Sequence, residues 1–391
     1  MRVLMVAPEP IFEPRGTPLS VVGRLKAYSD LGHEVDLLTY SIGEDVRLPR
    51  IRIHRIPEVP GIRSVKIGPS LQKLPLDLLL FLKTFAWVSR RRHDLVHTHE
   101  EAGFWGVFLS RWFDIPHVYD MHSSLPQQLG NFQFTRSRFL VRLFESLETW
   151  VLRHADAVIT ICLDLQNHVL RRFPGKRSFL IENVMDYGMV FGARDRSGAI
   201  RKSLGLSGKK VVLYTGTFEP YQGLDLLIDS AAMVVRAVPS VRFLLVGGHP
   251  DQVESVRRNA AAKGVGSHFV FTGQVAPEEV DSYIRCADVL VSPRTRGTNT
   301  PLKIYAYLRS GKPVVATRLW THTQVLDGRI AVLTDPDASA FGKGILQVLG
   351  SRAAAARLGR RAAALAEARY SVGAYCGKLD RVARLAAGER G

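Results

Sequence analysis

Short apolar runs, each only long enough for a β-strand, alternate along this chain with longer stretches of helical periodicity. This rhythm constrains the fold most tightly, because strands separated by helices pair in parallel and need helical crossovers on their faces. Residues 2–7 read as a buried strand, 20–31 as the helix after it, Gly32-His33 as its stop, and 34–40 as the next strand. Further strands are expected at 94–97, 117–120, 157–161 and 178–182. The pattern then breaks: from 187 to 210 the chain is polar, basic and Gly-rich, with one short helical candidate at 200–204. A domain boundary is placed there.

Residues 211–214 open a second unit in the same manner, as a strand followed by a loop at 215–223 and a helix at 224–235. More strands are expected at 241–246, 269–271, 289–292 and 313–316. Two successive doubly wound units imply a cleft between them, with ligands at the carboxyl ends of the strands. The tail at 351–390 is rich in Ala and Arg and reads as helical, with an interruption near 370–373. A length of 391 residues agrees with two or three domains at roughly 150 residues each.

Composition narrows the function. Hydrophobic residues make up 46 %, too many for a disordered chain. The 53 Lys and Arg against 36 Asp and Glu give a formal charge of +17, which favours a polyanionic neighbour: nucleic acid, an anionic membrane surface or phosphorylated ligands. No nucleic-acid partner is expected, since the basic residues are dispersed and no reader motif is present. Cys162, Cys286 and Cys376 are far apart and form no CxxC or Cys/His cluster, which argues against a disulfide framework and a structural zinc site. The opening apolar run is too short for a signal peptide, and no stretch reaches the ~20 apolar residues of a membrane span. The longest candidate, 74–88, is broken by Pro75, Asp77 and Lys83. A soluble cytoplasmic location is expected, with the inner face of the membrane as the alternative.

The most informative loop follows the strand at 289–292. It carries Arg294, Arg296, Gly297, Thr298, Asn299 and Thr300 into Pro301, Leu302 and Lys303. Pro301 suits the first position of a helix with Thr300 as its N-cap. Free N–H groups and the positive end of such a helix favour an anion, and Arg294, Arg296 and Lys303 add cationic donors. The competing reading is an ordinary capped helix with solvated arginines. A second loop, with Gly216, Thr217, Gln222 and Gly223, resembles half of a nucleotide-binding loop but lacks both the GxGxxG spacing and the Walker lysine, so a plain strand-to-helix turn fits equally.

In the first half, His97 and His99 share one face of a strand end. They suggest a metal pair with Glu100 or Glu101 as third ligand, but no second cluster completes it, and no metal site is assigned. His122 lies where a strand runs into a polar loop and suits contact with a substrate hydroxyl or phosphate, or merely with backbone. Residues 13–18, with Gly16 and Thr17, bridge strand and helix and also suit an anion.

Together these segments resemble glycosyltransferase family 4, the retaining nucleotide-sugar transferases of GT-B architecture. The likeness is carried by Leu31-Gly-His-Glu-Val35, Asp94-Leu-Val-His-Thr-His99, Ile115-Pro-His-Val-Tyr-Asp-Met-His122, Ala155-Asp-Ala-Val-Ile-Thr160 and Ile181-Glu-Asn183. The second half adds Phe271-Thr-Gly273, Ala287-Asp-Val-Leu-Val-Ser-Pro293, the phosphate loop and Ser310-Gly-Lys-Pro-Val-Val315. The resemblance implies two Rossmann-like domains facing a cleft: an acceptor domain over 1–187, a nucleotide-sugar domain over 188–370, and a C-terminal helix over 371–391 that returns to the first. It places His122 beside the transferred sugar, Gly16 near the donor diphosphate, and His99 and Glu100 on the acceptor side. No cofactor and no DxD metal site are implied, and Asp335-Pro-Asp337 reads as structural.

Two departures stand out. The family often grips the diphosphate with Arg and Lys where this chain has Thr217 and Gln222, and it commonly bonds the ribose through a Glu where this chain has Ala306. Arg294, Arg296 and Lys303 are expected to restore the missing charge from the facing loop. The reaction implied is transfer of a sugar from a nucleotide diphosphate donor, with retention, to a lipid-linked or polysaccharide acceptor. Alternatives are a catalytically impaired sugar-nucleotide-binding protein and a nucleotide-sugar 2-epimerase, for which no convincing carboxylate pair is seen. Residues 62–93, apolar through Phe81, Phe85 and Trp87 and basic at Arg63, Lys66, Lys73, Lys83 and Arg90-Arg-Arg92, suit contact with an anionic membrane surface. The same stretch suits a core helix with a solvated exit.

Overall fold

The alternation is realised as two wholly parallel sheets, each in its own compact unit. The structure, a computed structural model, describes every residue except 13–15, 45–46, 66–69, 71, 125, 127–136, 185–186, 193 and 389–391. Unit 1 comprises Met1–Met185 and Val372–Gly391, and unit 2 comprises Asp186–Ser371.

In unit 1 the strands are β1 (Arg2–Ala7), β2 (Glu34–Thr39), β3 (Ile51–Arg55), β4 (Leu95–His99), β5 (His117–Met121), β6 (Ala157–Thr160) and β7 (Ser178–Leu180). They lie in the order β3-β2-β1-β4-β5-β6-β7. The crossovers carry helices α1 (Gly16–Asp30), α2 (Lys73–Val88), α3 (Ala102–Phe113), α4 (Arg138–His154) and α5 (Leu163–Arg172). Strand order reverses between β1 and β4, which pair from Val3↔Leu95 to Val6↔Thr98. The loops leaving these strands diverge, so the carboxyl end of this pair is where the topology opens a ligand site.

Unit 2 repeats the design. Its helices are α6 (Tyr187–Phe191), α7 (Ser197–Ser203), α8 (Leu224–Ala237), α9 (Pro250–Ala262), α10 (Val280–Arg285), α11 (Lys303–Arg309), α12 (Trp320–Thr323), α13 (Ala338–Gly350) and α14 (Arg352–Tyr370). The strands are β8 (Lys210–Thr215), β9 (Val241–Val246), β10 (Phe269–Gly273), β11 (Val289–Ser292), β12 (Val314–Thr317) and β13 (Val332–Thr334), in the order β10-β9-β8-β11-β12-β13. The reversal falls between β8 and β11, so the two loops singled out in the sequence leave the carboxyl ends at this switch point.

The central strands are apolar because both faces are covered: Val3 to Ala7 of β1 and Val289 to Val291 of β11 are fully buried. Helix α1 starts earlier than the sequence pattern indicates, at Gly16, with Pro18 in the first turn, where its missing N–H costs nothing. The edge strands β3 and β13 have no counterpart among the expected strands. Both are short, and β3 is only half-buried, so neither carries a long apolar run.

After α14 the chain turns at Ser371 into α15 (Val372–Ala386), which packs on α1 of unit 1 and buries Tyr375, Leu379 and Val382. Lys378 Nζ donates to Glu182 at 2.8 Å, and Arg177 Nη1 donates to the Leu385 carbonyl at 3.3 Å. This is the returning C-terminal helix that the family resemblance implies.

Candidate functional site

In unit 1 a single buried carboxylate organises the switch point. Asp120 lies on β5 opposite His99 of β4, and both strands are buried along their whole length. Arg24 Nε of α1 donates to Asp120 Oδ2 at 2.7 Å, with both side chains fully buried. His97 Nε2 lies 3.3 Å from the same oxygen, and His122 Nε2 lies 3.4 Å from Oδ1. His99 Nδ1 and His122 Nε2 are 2.9 Å apart, and Tyr28 of α1 meets His97 Nδ1 at 2.9 Å. The rings of His97, His99 and His122 stack in a ladder, with centroids 4.8 and 5.2 Å apart.

These contacts set the charge states. Burial opposes ionisation of Asp120, but Arg24 and the surrounding imidazoles outweigh it and hold the carboxyl well below its ordinary range. Burial pushes His122 down to about 4, despite Asp120, with Arg24 and His97 adding to the fall. His122 is thus a neutral imidazole at pH 7. It is also buried, so its ring packs as part of the fold.

Asp120, rather than Glu100 or Glu101, joins His97 and His99 in a group whose ligating atoms lie within 4.8 Å of one another. The Arg24 guanidinium already occupies Asp120 Oδ2. A dication there would face a buried positive charge, so this donor set does not fit a metal.

Beside this cluster, Glu100 is buried at the end of β4 with φ +46°. It accepts hydrogen bonds from Ser123 Oγ at 3.0 Å and Thr17 Oγ1 at 3.4 Å. Burial, then the neighbouring Glu101 and Glu9, push its carboxyl well above the ordinary range. Gly16 does not sit in a loop: it opens α1, exposed, with nothing within 4 Å of where a Cβ would stand. Residues 13–15 of the anion-receiving loop lie outside the described residues, as does Lys66.

In unit 2 the two loops pack against each other. Gly223 has φ +74°, and a Cβ there would stand 2.0 Å from the Pro293 carbonyl oxygen, so only glycine permits the approach. Between the loops lies the Lys303 ammonium. It sits 3.7 Å from the centroid of the Tyr214 ring and donates to Gln222 Oε1 at 3.3 Å. Gln222 Nε2 in turn donates to Thr217 Oγ1 at 3.4 Å. The Gly216 backbone, at φ +134°, comes so near that a Cβ would stand 3.0 Å from Lys303 Nζ. Among the described residues no carboxylate pairs with this lysine. Burial, with Arg294 adding repulsion, pushes its ammonium well below the ordinary lysine range. Gly216, Thr217, Gln222 and Lys303 therefore form one cluster around an uncompensated cation.

The remaining cations of the loop are placed differently from Lys303. Arg294 donates Nε to the Arg296 carbonyl at 2.8 Å and Nη1 to the Asn299 carbonyl at 3.0 Å, and it stacks over Tyr221 at 5.0 Å. Its Nε and Nη1 match carbonyls of its own loop and so stiffen that loop. Arg296 and Thr298 are exposed, and the Thr298 carbonyl accepts from Gln324. Thr300 is not an N-cap. Residues 301–305 start with tight turns, Ile304 N to Pro301 O and Tyr305 N to Leu302 O, so α11 begins only at Lys303 with Leu302 at its cap. Thr300 Oγ1 is buried without a hydrogen-bond partner. Ala306 lies partly buried in α11, and Asp337 caps α13 through a 2.9 Å bond from Ala340 N.

A family model described as "Glycosyl transferase 4-like domain" matches residues 19–181, and one described as "Glycosyl transferases group 1" matches 209–351. The chain is a family 4 glycosyltransferase. Among its relatives is the phosphatidyl-myo-inositol mannosyltransferase of Mycobacterium tuberculosis, 26 % identical over 89 % of this chain and 88 % of that protein. The 2-deoxystreptamine N-acetyl-D-glucosaminyltransferase of Streptomyces fradiae is 32 % identical over 62 % of this chain and 59 % of that protein. Solved structures show the shared GT-B fold. HepE of Anabaena, in complex with UDP, superposes with a TM-score of 0.75 at 21 % identity, covering 97 % of this chain and 99 % of that one. Sucrose-phosphate synthase from Thermosynechococcus elongatus gives a TM-score of 0.78 at 20 % identity over the full length of both chains.

The sequence reading of this glycosyltransferase missed Arg24, Tyr28, Asp120 and Tyr214 as members of these clusters. A signal existed for two of them. Arg24 lies inside the apolar stretch Val21-Val-Gly-Arg-Leu25, and Asp120 lies inside a buried strand. Charged residues are almost never buried unless paired, so each required a partner of opposite sign. Nothing in the spacing named that partner.

Proposed function

We propose that this glycosyltransferase moves a sugar, with retention of anomeric configuration, from a nucleotide diphosphate donor to a lipid-linked acceptor. The observation that carries the reading is Lys303: a partly buried ammonium with no carboxylate partner among the described residues, held between an aromatic face and the glycine-bearing loop at the switch point of unit 2. A diphosphate is the chemistry that completes it. In transfer the bond from the sugar to the diphosphate breaks and negative charge grows on the leaving group. A preplaced cation stabilises that charge more than it stabilises the ground state. The relative that crystallised with UDP on the same fold agrees with such a donor. Unit 1 takes the acceptor, with neutral His122 contacting the sugar that moves and Glu100 and His99 on the acceptor side.

The lipid-linked class is favoured by the surface of unit 1. Helix α2 buries Leu76 and Leu80 but leaves Leu74 62 % and Leu78 59 % exposed. The adjacent α3 exposes Trp112 by 67 %, and α4 exposes Phe139 by 72 %. Arg90, Arg91 and Arg92 follow α2 directly, with Arg142 exposed on α4. Apolar side chains among arginines suit the headgroup region of an anionic bilayer. No helix among the described residues is long and apolar enough to cross a membrane. A relative named for phosphatidyl-myo-inositol points to the same acceptor class.

The test is transfer from radiolabelled UDP- and GDP-sugars in the presence of anionic phospholipid vesicles. Label extracted into organic solvent supports the reading. Donor binding with no label transferred to any acceptor would instead support a sugar-nucleotide-binding protein impaired by Ala306.

A further inference from the structure

We propose that Tyr375, carried into unit 1 by α15, is a positioning residue whose ring holds Arg24 on Asp120 and so fixes the geometry around His99 and His122. Arg24 is fully buried and held on two sides: Nε donates to Asp120 at 2.7 Å, and Nη2 donates to the Ile181 carbonyl at 3.0 Å. Its Nη1 has no hydrogen-bond partner. The Tyr375 ring covers the guanidinium instead, with its centroid 4.9 Å from the guanidinium carbon. A flat cation over an aromatic face is stabilised by the ring quadrupole, most strongly where water is excluded.

The groups that face this pair are Arg24 and Tyr28 of α1, His97 and His99 of β4, and Asp120 and His122 at the end of β5. From α15, Tyr375 reaches Arg24. Lys378 is paired with Glu182, and Asp380 faces His33 at 3.5 Å. Arg24 lowers the proton affinity of His122 while Asp120 raises it, so the imidazole senses how firmly the two hold each other. Because α15 follows unit 2 in the chain, the charge cluster of unit 1 is completed only by a segment made after unit 2. The bearing on transfer rests on the role given to His122 above, whereas the positioning itself does not.

The experiment is a ring-NMR titration of His122 in the full chain, for the wild type, Tyr375→Met and Tyr375→Phe. Methionine fills similar space without a ring face. Arg24 is then free to leave Asp120, the carboxylate acts on His122 unopposed, and the midpoint is expected to rise by at least one pH unit. Phenylalanine keeps the ring and should titrate with the wild type. The Arg24 Nε–H should stay protected from exchange in the wild type and Tyr375→Phe, and lose protection in Tyr375→Met. Tyr375→Leu replaces the methionine variant if that one does not fold. An unmoved midpoint in the ringless variant, or an equal shift in Tyr375→Phe, overturns the proposal. A moved midpoint with unchanged transfer would count against the role of His122 and leave that of Tyr375 standing.

Discussion

Replacing Lys303 by methionine removes the ammonium and keeps most of the volume between Tyr214 and Gln222. A hydrogen bond to a charged group contributes about 1.5–3 kcal/mol, so nucleoside diphosphate affinity should fall roughly 10- to 150-fold. The free protein should respond in the opposite sense. Lys303 has no carboxylate partner among the described residues and is pushed well below the ordinary lysine range by burial and then by Arg294, so its charge opposes folding wherever it is protonated. Without ligand, Lys303→Met should therefore melt no lower than the wild type, and stabilisation by UDP or GDP should shrink. The low proton affinity of the free lysine has a further consequence. Binding a diphosphate favours the ammonium, so above the free-state pKa of Lys303 binding takes up a proton and affinity falls as pH rises. Calorimetry in buffers of different ionisation enthalpy reads that uptake directly, and Lys303→Met should abolish it. Unchanged diphosphate affinity in a folded Lys303→Met protein would refute the reasoning.

His122→Ala should lower turnover by at least ~10²-fold, the usual range for a positioned polar or acid–base group. It should also lower the melting temperature, because the ring is buried on His99 and Asp120; near-normal turnover would make its role purely structural. Burial lowers His122 and His322 to about 4 and His117 to about 3, so below pH ~6.5 the unfolded chain binds protons that the folded one does not. Stability should fall steadily from pH 6.5 towards 4, and urea midpoints that stay flat over that range would contradict these buried neutral imidazoles. Transfer should persist in EDTA, since Arg24 occupies the carboxylate of the one three-residue ligating group among the described residues; loss restored by magnesium would contradict this. Co-sedimentation with anionic vesicles should weaken with salt and with Trp112→Ala; equal binding to neutral vesicles would remove the membrane role.

The architecture was legible because a parallel sheet covered on both faces writes each strand as an apolar run. Strands such as Val241–Val246 and Val289–Ser292 therefore fell where the sequence placed them. Edge strands such as Ile51–Arg55 escaped because half their surface is open and their composition is mixed. In the two switch-point loops of unit 2 the residue types and their shared location were legible, since glycines and cations collect where two strands end. What each cation does was not. Arg294 and Lys303 look alike in sequence, yet one is spent on the carbonyls of its own loop and the other is left uncompensated. That difference depends on which acceptors the folded loop presents. The same holds for Arg24, whose partners on β5 and α15 are 96 residues away in one case and at the far end of the chain in the other.

The central claim is that this chain breaks the bond between a sugar and a nucleoside diphosphate and hands the sugar on with its configuration kept. Proton NMR of the product formed from an α-linked nucleotide sugar and a lipid acceptor tests it most directly. The expected result is one equivalent of nucleoside diphosphate released for each α-glycosidic bond formed. A β-linked product, or release of the diphosphate with only free sugar and no glycoside, would contradict the account.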